Sequence, residues 1–223
     1  QTLAVTQPQR VRSLTSIMST PGGRRYRPQP KAFGALFRKP PKSAAQAGEH
    51  LVNVFETIGS KAWPRDKDRE RIRAAGELSY TRGMNPRGFL RHFGAVLAAY
   101  DRRPKLREVT VPTLIVHGTA DPMFPLSAGR AMTKLMPNAT WLPIAGMGHD
   151  LPIPLWPTLV RAVARLAERA DVRATVGLEH ECWNGRQRGL KSLCPSWACG
   201  FESRLVHERF RPRRRLSGLS PFS

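Results

Sequence analysis

Residues Val111–Pro152 read VPTLIVHGTADPMFPLSAGRAMTKLMPNATWLPIAGMGHDLP. The apolar run Leu114–Val116 stops abruptly at His117-Gly118-Thr119-Ala120-Asp121-Pro122, so Thr113–His117 reads as a buried strand. A helical segment follows over 127–136, with Ser127 a candidate N-cap and Pro137-Asn138 a stop. A second strand, Thr140–Ile144, ends at Gly146-Met147-Gly148-His149-Asp150. Strand, helix and strand in this order imply a right-handed crossover in a parallel sheet. Asp121 and His149 then each fall just past the end of a strand, 28 positions apart. Parallel sheets gather reactive groups at the carboxyl ends of their strands. An acid that precedes a histidine in that placement is the acid-and-base half of a nucleophilic triad.

Each residue also has a plainer reading. Asp121-Pro122 could be an ordinary turn, and a loop histidine could simply be structural. The pairing favours chemistry: a histidine titrates near neutrality and can pass a proton both ways, and small residues flank His149. Asp121 would accept the imidazole's other N–H and fix its tautomer. Asp150 is a rival acid, but a sequence neighbour of the histidine points elsewhere. His117, at the strand end beside Gly118, reads as a packing residue. His50 and His92 read as surface or packing residues.

The stretch PTLIVHGTADPMFP followed by GMGHDLP resembles the acid loop and histidine loop of the α/β-hydrolase superfamily. Within it, the chain looks most like bacterial ester hydrolases of the polyketide methylesterase type, supported by SLTSIMST at Ser13–Thr20 and SYTRGMNPRGFLRHFGAVLAAYDR before the acid strand. The likeness runs over roughly Gln1–Arg169 and is strongest over Val111–Pro152. It implies a partial α/β-hydrolase fold, an α/β architecture of the last three parallel strands with flanking helices plus a helical lid. It implies a carboxylic ester hydrolase lineage using an acyl-enzyme, with Asp121 and His149 as catalytic acid and base and a small-molecule ester as substrate. Trp63, Met84, Phe89 and Phe93 are candidate substrate-binding residues under the lid, or equally lid core. No metal or cofactor is called for.

The nucleophile elbow of that superfamily, Gly-x-Ser-x-Gly on a strand-to-helix turn, occurs nowhere in the sequence. Gly59-Ser60 and Ser217-Gly218 lack the flanking strand and second glycine. By the resemblance, Gln1–Thr6 is the end of the helix that follows the elbow, Gln7-Pro8-Gln9 a turn and Val11–Ile17 the next strand. The expectation is a fragment whose nucleophile lies before residue 1. An aspartate nucleophile, as in dehalogenases and epoxide hydrolases, stays open. So does a different class: a noncatalytic remnant, or a basic binding protein on a hydrolase half-fold.

The expected organisation has four parts: helix end and strand over 1–20, helical lid over 21–108, core with acid and histidine loops over 109–170, and a basic, disordered tail over 171–223. Within the lid, 24–42 reads as a loop rich in proline and arginine. Ser43 starts a helix with Gln46 as capping-box partner, a stripe of Leu51, Val54, Phe55 and Ile58, and Gly59 as C-cap. A charged helix spans 66–79, and Asn85-Pro86 opens another. A last helix covers 155–170. Beyond Asp171 amphipathic periodicity fades, and Gly200–Arg204 resembles accidental translation of a transfer-RNA gene. That suggests a readthrough or frameshifted tail, with a basic interaction tail the functional alternative.

At 223 residues the chain holds one ordinary domain. Its net charge of +21 raises a nucleic-acid reading. Residues 1–110 carry 22 Lys+Arg against 8 Asp+Glu, but residues 111–170 carry 5 against 3, so the excess avoids the acid–histidine segment. No nucleic-acid-binding motif accompanies it, and a solvated basic surface with no specific nucleic-acid partner is the better reading. No apolar run reaches the length of a membrane span. Three cysteines, an odd count without metal-type spacing, point to a reducing cytoplasm. Cys182, Cys194, His180 and His207 match no zinc-finger spacing.

Overall fold

The structure is a computed structural model that describes the backbone of residues 1–187 apart from Arg24, Pro64, Arg65 and Met84, with side chains described as far as Val172 except for those four and residues 66–67. The chain divides into two units, Gln1–Val172 and Arg173–Ser223; the site lies in the first. His180, Cys182, Cys194, His207 and the tail over 188–223 lie outside the described side chains.

Three strands form one parallel sheet in the order β1 (Leu14–Ile17), β2 (Thr113–Gly118), β3 (Ala139–Ile144). Leu14 pairs with Thr113 and Thr113 with Ala139, and the register runs on to Gly118 opposite Ile144. Every residue of β2 is buried, because it is the central strand and both its faces are covered; this is why it reads as an unbroken apolar run. Pro143 sits within β3, which has β2 as its one paired neighbour in this sheet. A residue with no N–H is tolerated on an edge strand.

Alternation along β2 divides the core. Leu114 and Val116 face one side and pack with Ile144, Met147, Leu155, Leu159 and Leu166. Ile115 faces the other and packs with Ala4, Leu106, Val109, Met132 and Met136. Of these partners Ala4 belongs to α1 (Thr2–Thr6), Leu106 to a short α6 (Arg103–Leu106), Met132 to α7 (Leu126–Leu135) and, on the first face, Leu159 and Leu166 to α8 (Trp156–Gln187). The result is a sheet with helices on both faces, a partial α/β-hydrolase fold with a helical lid, as the resemblance implies.

The lid between β1 and β2 holds α2 (Pro30–Leu36), α3 (Ala44–Ile58), α4 (Asp66–Thr81) and α5 (Pro86–Leu97). The Ser43 hydroxyl accepts from Gln46 N at 3.3 Å, while the Gln46 side chain accepts from Lys42 N at 2.9 Å, one residue earlier than the reciprocal box predicts. Asn85 caps α5 through Gly88 N at 2.8 Å. Gly76 brings α4 against α3; a Cβ there would lie 2.6 Å from the Ala47 carbonyl oxygen.

Three expectations need correction, and one about a helix end holds. Residues 24–42 are not all loop: α2 starts at Pro30, whose fixed φ suits a first helical turn, and buries Ala32 and Ala35. Helix α7 begins at Leu126 with Pro125 at the N-cap position, so Ser127 is inside the helix rather than capping it. Gly59 is the C-cap of α3 as expected, its N–H donating to Phe55 O, in an extended conformation with φ −84°. The last helix, expected to stop near Ala170, runs to Gln187.

Candidate active site

The acid loop leaves β2 and the histidine loop leaves β3 at the same carboxyl edge of the sheet. Gly118 lets the two loops meet: a Cβ on it would stand 2.1 Å from the Met147 carbonyl oxygen. Thr119 N reaches Ile144 O at 3.0 Å and Ala120 N reaches Met147 O at 3.0 Å. The loops are thus laced by backbone before any side chain is placed.

Asp121 Oδ2 lies 2.9 Å from His149 Nδ1. The carboxylate accepts and cannot donate, so Nδ1 carries the proton and Nε2 holds the free lone pair of the neutral ring. The Asp121 side chain is fully buried and that of His149 is 26% exposed. Burial of a carboxylate is costly unless its lone pairs are used. Asp121 Oδ1 accepts from Met123 N at 2.7 Å and Phe124 N at 3.0 Å. One oxygen is therefore pinned to its own loop, and the other is left for the imidazole. The Phe124 ring meets His149 edge-on, with centroids 5.8 Å apart.

His117 is fully buried, and its Nε2–H donates to the Phe124 carbonyl at 3.0 Å. This ties the far end of the acid loop back to β2, 3.7 Å from Asp121 Oδ2. Its Nδ1 is the one buried side-chain polar atom without a partner among the described residues. It faces Gly129, where a Cβ would come within 2.9 Å of it. The expected packing residue also braces the loop that carries Asp121.

Asp150 is engaged by Ser60. Its Oδ1 accepts from Ser60 N at 2.7 Å and also from the Ser60 hydroxyl. Ser60 is 1% exposed, so the serine dismissed as an elbow candidate is a buried structural partner of the histidine loop. Its only sequence signal was the small Gly59-Ser60 pair after an amphipathic helix.

The expected substrate-binding residues are split. Trp63 packs on the sheet-face cluster of Leu114, Val116 and Met147. Phe89 and Phe93 stack at 6.1 Å and join Phe33 and Phe37 in an aromatic cluster linking α5 to α2. No described ring contact joins Trp63 to that cluster. Met84 lies outside the described residues. Helix α2 in turn reaches the acid loop: Ala32 packs with Met123, and Gln29 N donates to Pro122 O at 2.9 Å. Among the described residues, no group of three or more His, Cys, Asp or Glu is placed to hold a metal ion, and no helix is long and apolar enough to cross a membrane.

Comparison with known proteins gives the same architecture. The family model described as alpha/beta hydrolase fold matches residues 1–154. A proline iminopeptidase of Lactobacillus delbrueckii subsp. lactis is 31% identical over 101 residues, 45% of this chain and 31% of that protein. A meta-cleavage product hydrolase from Pseudomonas fluorescens superposes with a TM-score of 0.55 at 19% identity, covering 76% of this chain and 60% of its own. An enol-lactonase from Burkholderia xenovorans gives 0.54 at 18%, covering 74% and 60%. A thermophilic esterase from Thermogutta terrifontis gives 0.52 at 16%, covering 75% and 59%. The chain spans about a third of the length of the curated relative and about 60% of these solved structures.

Proposed function

We propose that this chain, which belongs to the alpha/beta hydrolase fold family, carries the acid and base of a carboxylic ester hydrolase that works through an acyl-enzyme. The observation that carries the reading is the 2.9 Å contact between His149 Nδ1 and a fully buried Asp121 carboxylate. It sits at the carboxyl edge of a parallel sheet and leaves Nε2 without a hydrogen-bond partner among the described residues. No Gly-x-Ser-x-Gly occurs in the 223 residues, so the attacking serine is assigned to sequence outside them.

In this scheme His149 Nε2 takes the hydroxyl proton as the oxygen bonds to the ester carbonyl carbon. Asp121 keeps the ring in the Nδ1–H tautomer and stabilises the imidazolium. The tetrahedral intermediate collapses, the C–O bond to the alcohol breaks, and the leaving oxygen takes the proton back from Nε2. Water then repeats both transfers and releases the acid. The esterase-like neighbours support a small ester as substrate, and Trp63, Phe89 and Phe93 are proposed to give its acyl part apolar contact.

The test joins this chain to the coding sequence upstream of Gln1 and assays methyl and aryl esters. Turnover should appear and fall by roughly 10⁴-fold in His149→Ala, the loss typical of removing a triad member. The 223-residue chain by itself should show no turnover above buffer and no labelling by a serine-directed fluorophosphonate. Stoichiometric labelling of a serine within the chain, or turnover that survives His149→Ala, would overturn the proposal. Preference for an amino-terminal prolyl amide over every ester would move the assignment to the peptidase chemistry named for the relative above.

A further inference from the structure

Three consecutive residues of the histidine loop are each hydrogen-bonded either to Ile58, the last residue of α3, or to Ser60 two residues beyond it. Gly148 N donates to the Ser60 hydroxyl at 2.8 Å, His149 N donates to Ile58 O at 2.8 Å, and Asp150 Oδ1 accepts from both the amide and the hydroxyl of Ser60. The Ser60 oxygen spends its proton on Asp150 and a lone pair on Gly148, so one buried hydroxyl fixes the residue before the histidine and the residue after it. The contact is close because the histidine loop carries glycine where it meets the end of α3. A Cβ on Gly148 would stand 2.4 Å from Gly59 C and 2.6 Å from Ser60 N, and one on Gly146 would lie 2.7 Å from the Ala62 Cβ. Farther along, Ile153 N donates to Asp68 Oδ2 of α4 at 3.2 Å, so lid helices hold the loop at both ends.

We propose that Ser60 and Asp150 are positioning residues for His149: a lid-to-loop latch that sets the imidazole against Asp121 and leaves Nε2 pointing free. The inference rests on the acid–base reading of Asp121 and His149. Its physical basis is the geometry of the ring. The Nδ1–Oδ2 bond is specified only if the Cα of His149 is held, and β3 stops at Ile144, five residues before it. Between Ile144 and the histidine, the acid loop holds Gly146 N through the Thr119 hydroxyl at 2.9 Å and Met147 O through Ala120 N at 3.0 Å. The amides of Gly148 and His149 are anchored on the lid side, by the Ser60 hydroxyl and the Ile58 carbonyl. The lid is thus part of the acid–base apparatus and not merely a cover above it.

The experiment reads the tautomer of His149 from its ring ¹⁵N shifts, together with exchange of its Nδ1 proton, in the 223-residue chain. The unaltered chain should hold the Nδ1–H tautomer. Ser60→Ala should accelerate loss of that proton by about tenfold or more, the factor that accompanies a lost hydrogen bond to a charged acceptor, while the methyl spectrum stays native. Asp150→Asn, which keeps an acceptor for both Ser60 donors, should restore near-normal exchange where Asp150→Ala does not. If Ser60→Ala fails to fold, the unaltered chain still decides: the Gly148 amide and the His149 Nδ1 proton should exchange through one common opening. Independent openings, or unchanged exchange in both Ser60→Ala and Asp150→Ala, would overturn the latch and leave the acid–base reading intact. A native chain without the Nδ1–H tautomer would sink that reading first, and the latch with it.

Discussion

Asp121 Oδ2 meets His149 Nδ1 at 2.9 Å across two loops that leave neighbouring strands, with the carboxylate fully buried and the imidazole 26% exposed. The asymmetry suits a proton carrier. The acid is shielded, where its hydrogen bond is strong, and the base keeps a face toward incoming groups. Both Asp121 oxygens are occupied, one by the amides of Met123 and Phe124 and the other by the ring.

Asp121→Asn keeps the shape and the acceptor for the two amides but turns a donor toward Nδ1. The ring should switch to the Nε2–H tautomer, and ester turnover of the complete enzyme should fall by about 10⁴-fold with little change in the melt. Asp121→Ala should in addition lower the melting temperature, because two amides lose their acceptor at about 1–3 kcal/mol each where buried. An Asn variant with full activity would contradict the assigned tautomer.

Gly148→Ala and Gly94→Ala should move stability in opposite directions. The first places a Cβ 2.4 Å from backbone that cannot give way, whereas around Gly94 in α5 nothing lies within 4 Å. The expected change is a loss of at least about 1–3 kcal/mol for Gly148→Ala and a gain of up to about 1 kcal/mol for Gly94→Ala. Parallel thermal melts check both. A tolerated Gly148→Ala would mean the loop and the end of α3 are not in contact.

His117→Phe should cost about 1–3 kcal/mol despite conserving an aromatic ring, since the Phe124 carbonyl loses its donor. Denaturant unfolding of the two proteins measures it. An unchanged midpoint would reduce His117 to a filler.

Burial, and then the Arg38 guanidinium, hold the His50 imidazole below its ordinary range. Above about pH 6.5 both folded and unfolded chains carry it neutral, and it contributes no pH slope. As pH falls below that value the unfolded chain takes up a proton that the folded chain resists, so stability falls. His50→Gln should flatten this part of the profile of melting temperature against pH between about 6.5 and 5. A steeper acid slope in the variant would reverse the sign argued here.

The strand–loop–strand core was legible because its signals are local. An unbroken apolar run reports a strand buried on both faces, and glycine, proline and aspartate report where it turns. The 28-residue spacing of Asp121 and His149 matched a crossover whose length is set by one helix, so chain order alone carried both residues to one edge. The caps at Ser43 and Asn85 were readable for the same reason, each being satisfied within three residues of itself.

What lay beyond the sequence depends on contacts across long separations. Helix α2 is a seven-residue segment whose signal is drowned by flanking prolines, and burial of Ala32 against Met123 shows what it packs on. Trp63, Phe89 and Phe93 share a chemistry, and only their packing sends the first to the sheet and the others to the lid. Ser60 and Asp150 sit 90 positions apart, and neither carries a periodicity that would announce the other. Local pattern fixes what an element is and which face it buries. Which buried hydroxyl finally meets which carboxylate is decided when the elements pack, because that bond's worth comes from a dry environment that exists only in the folded chain.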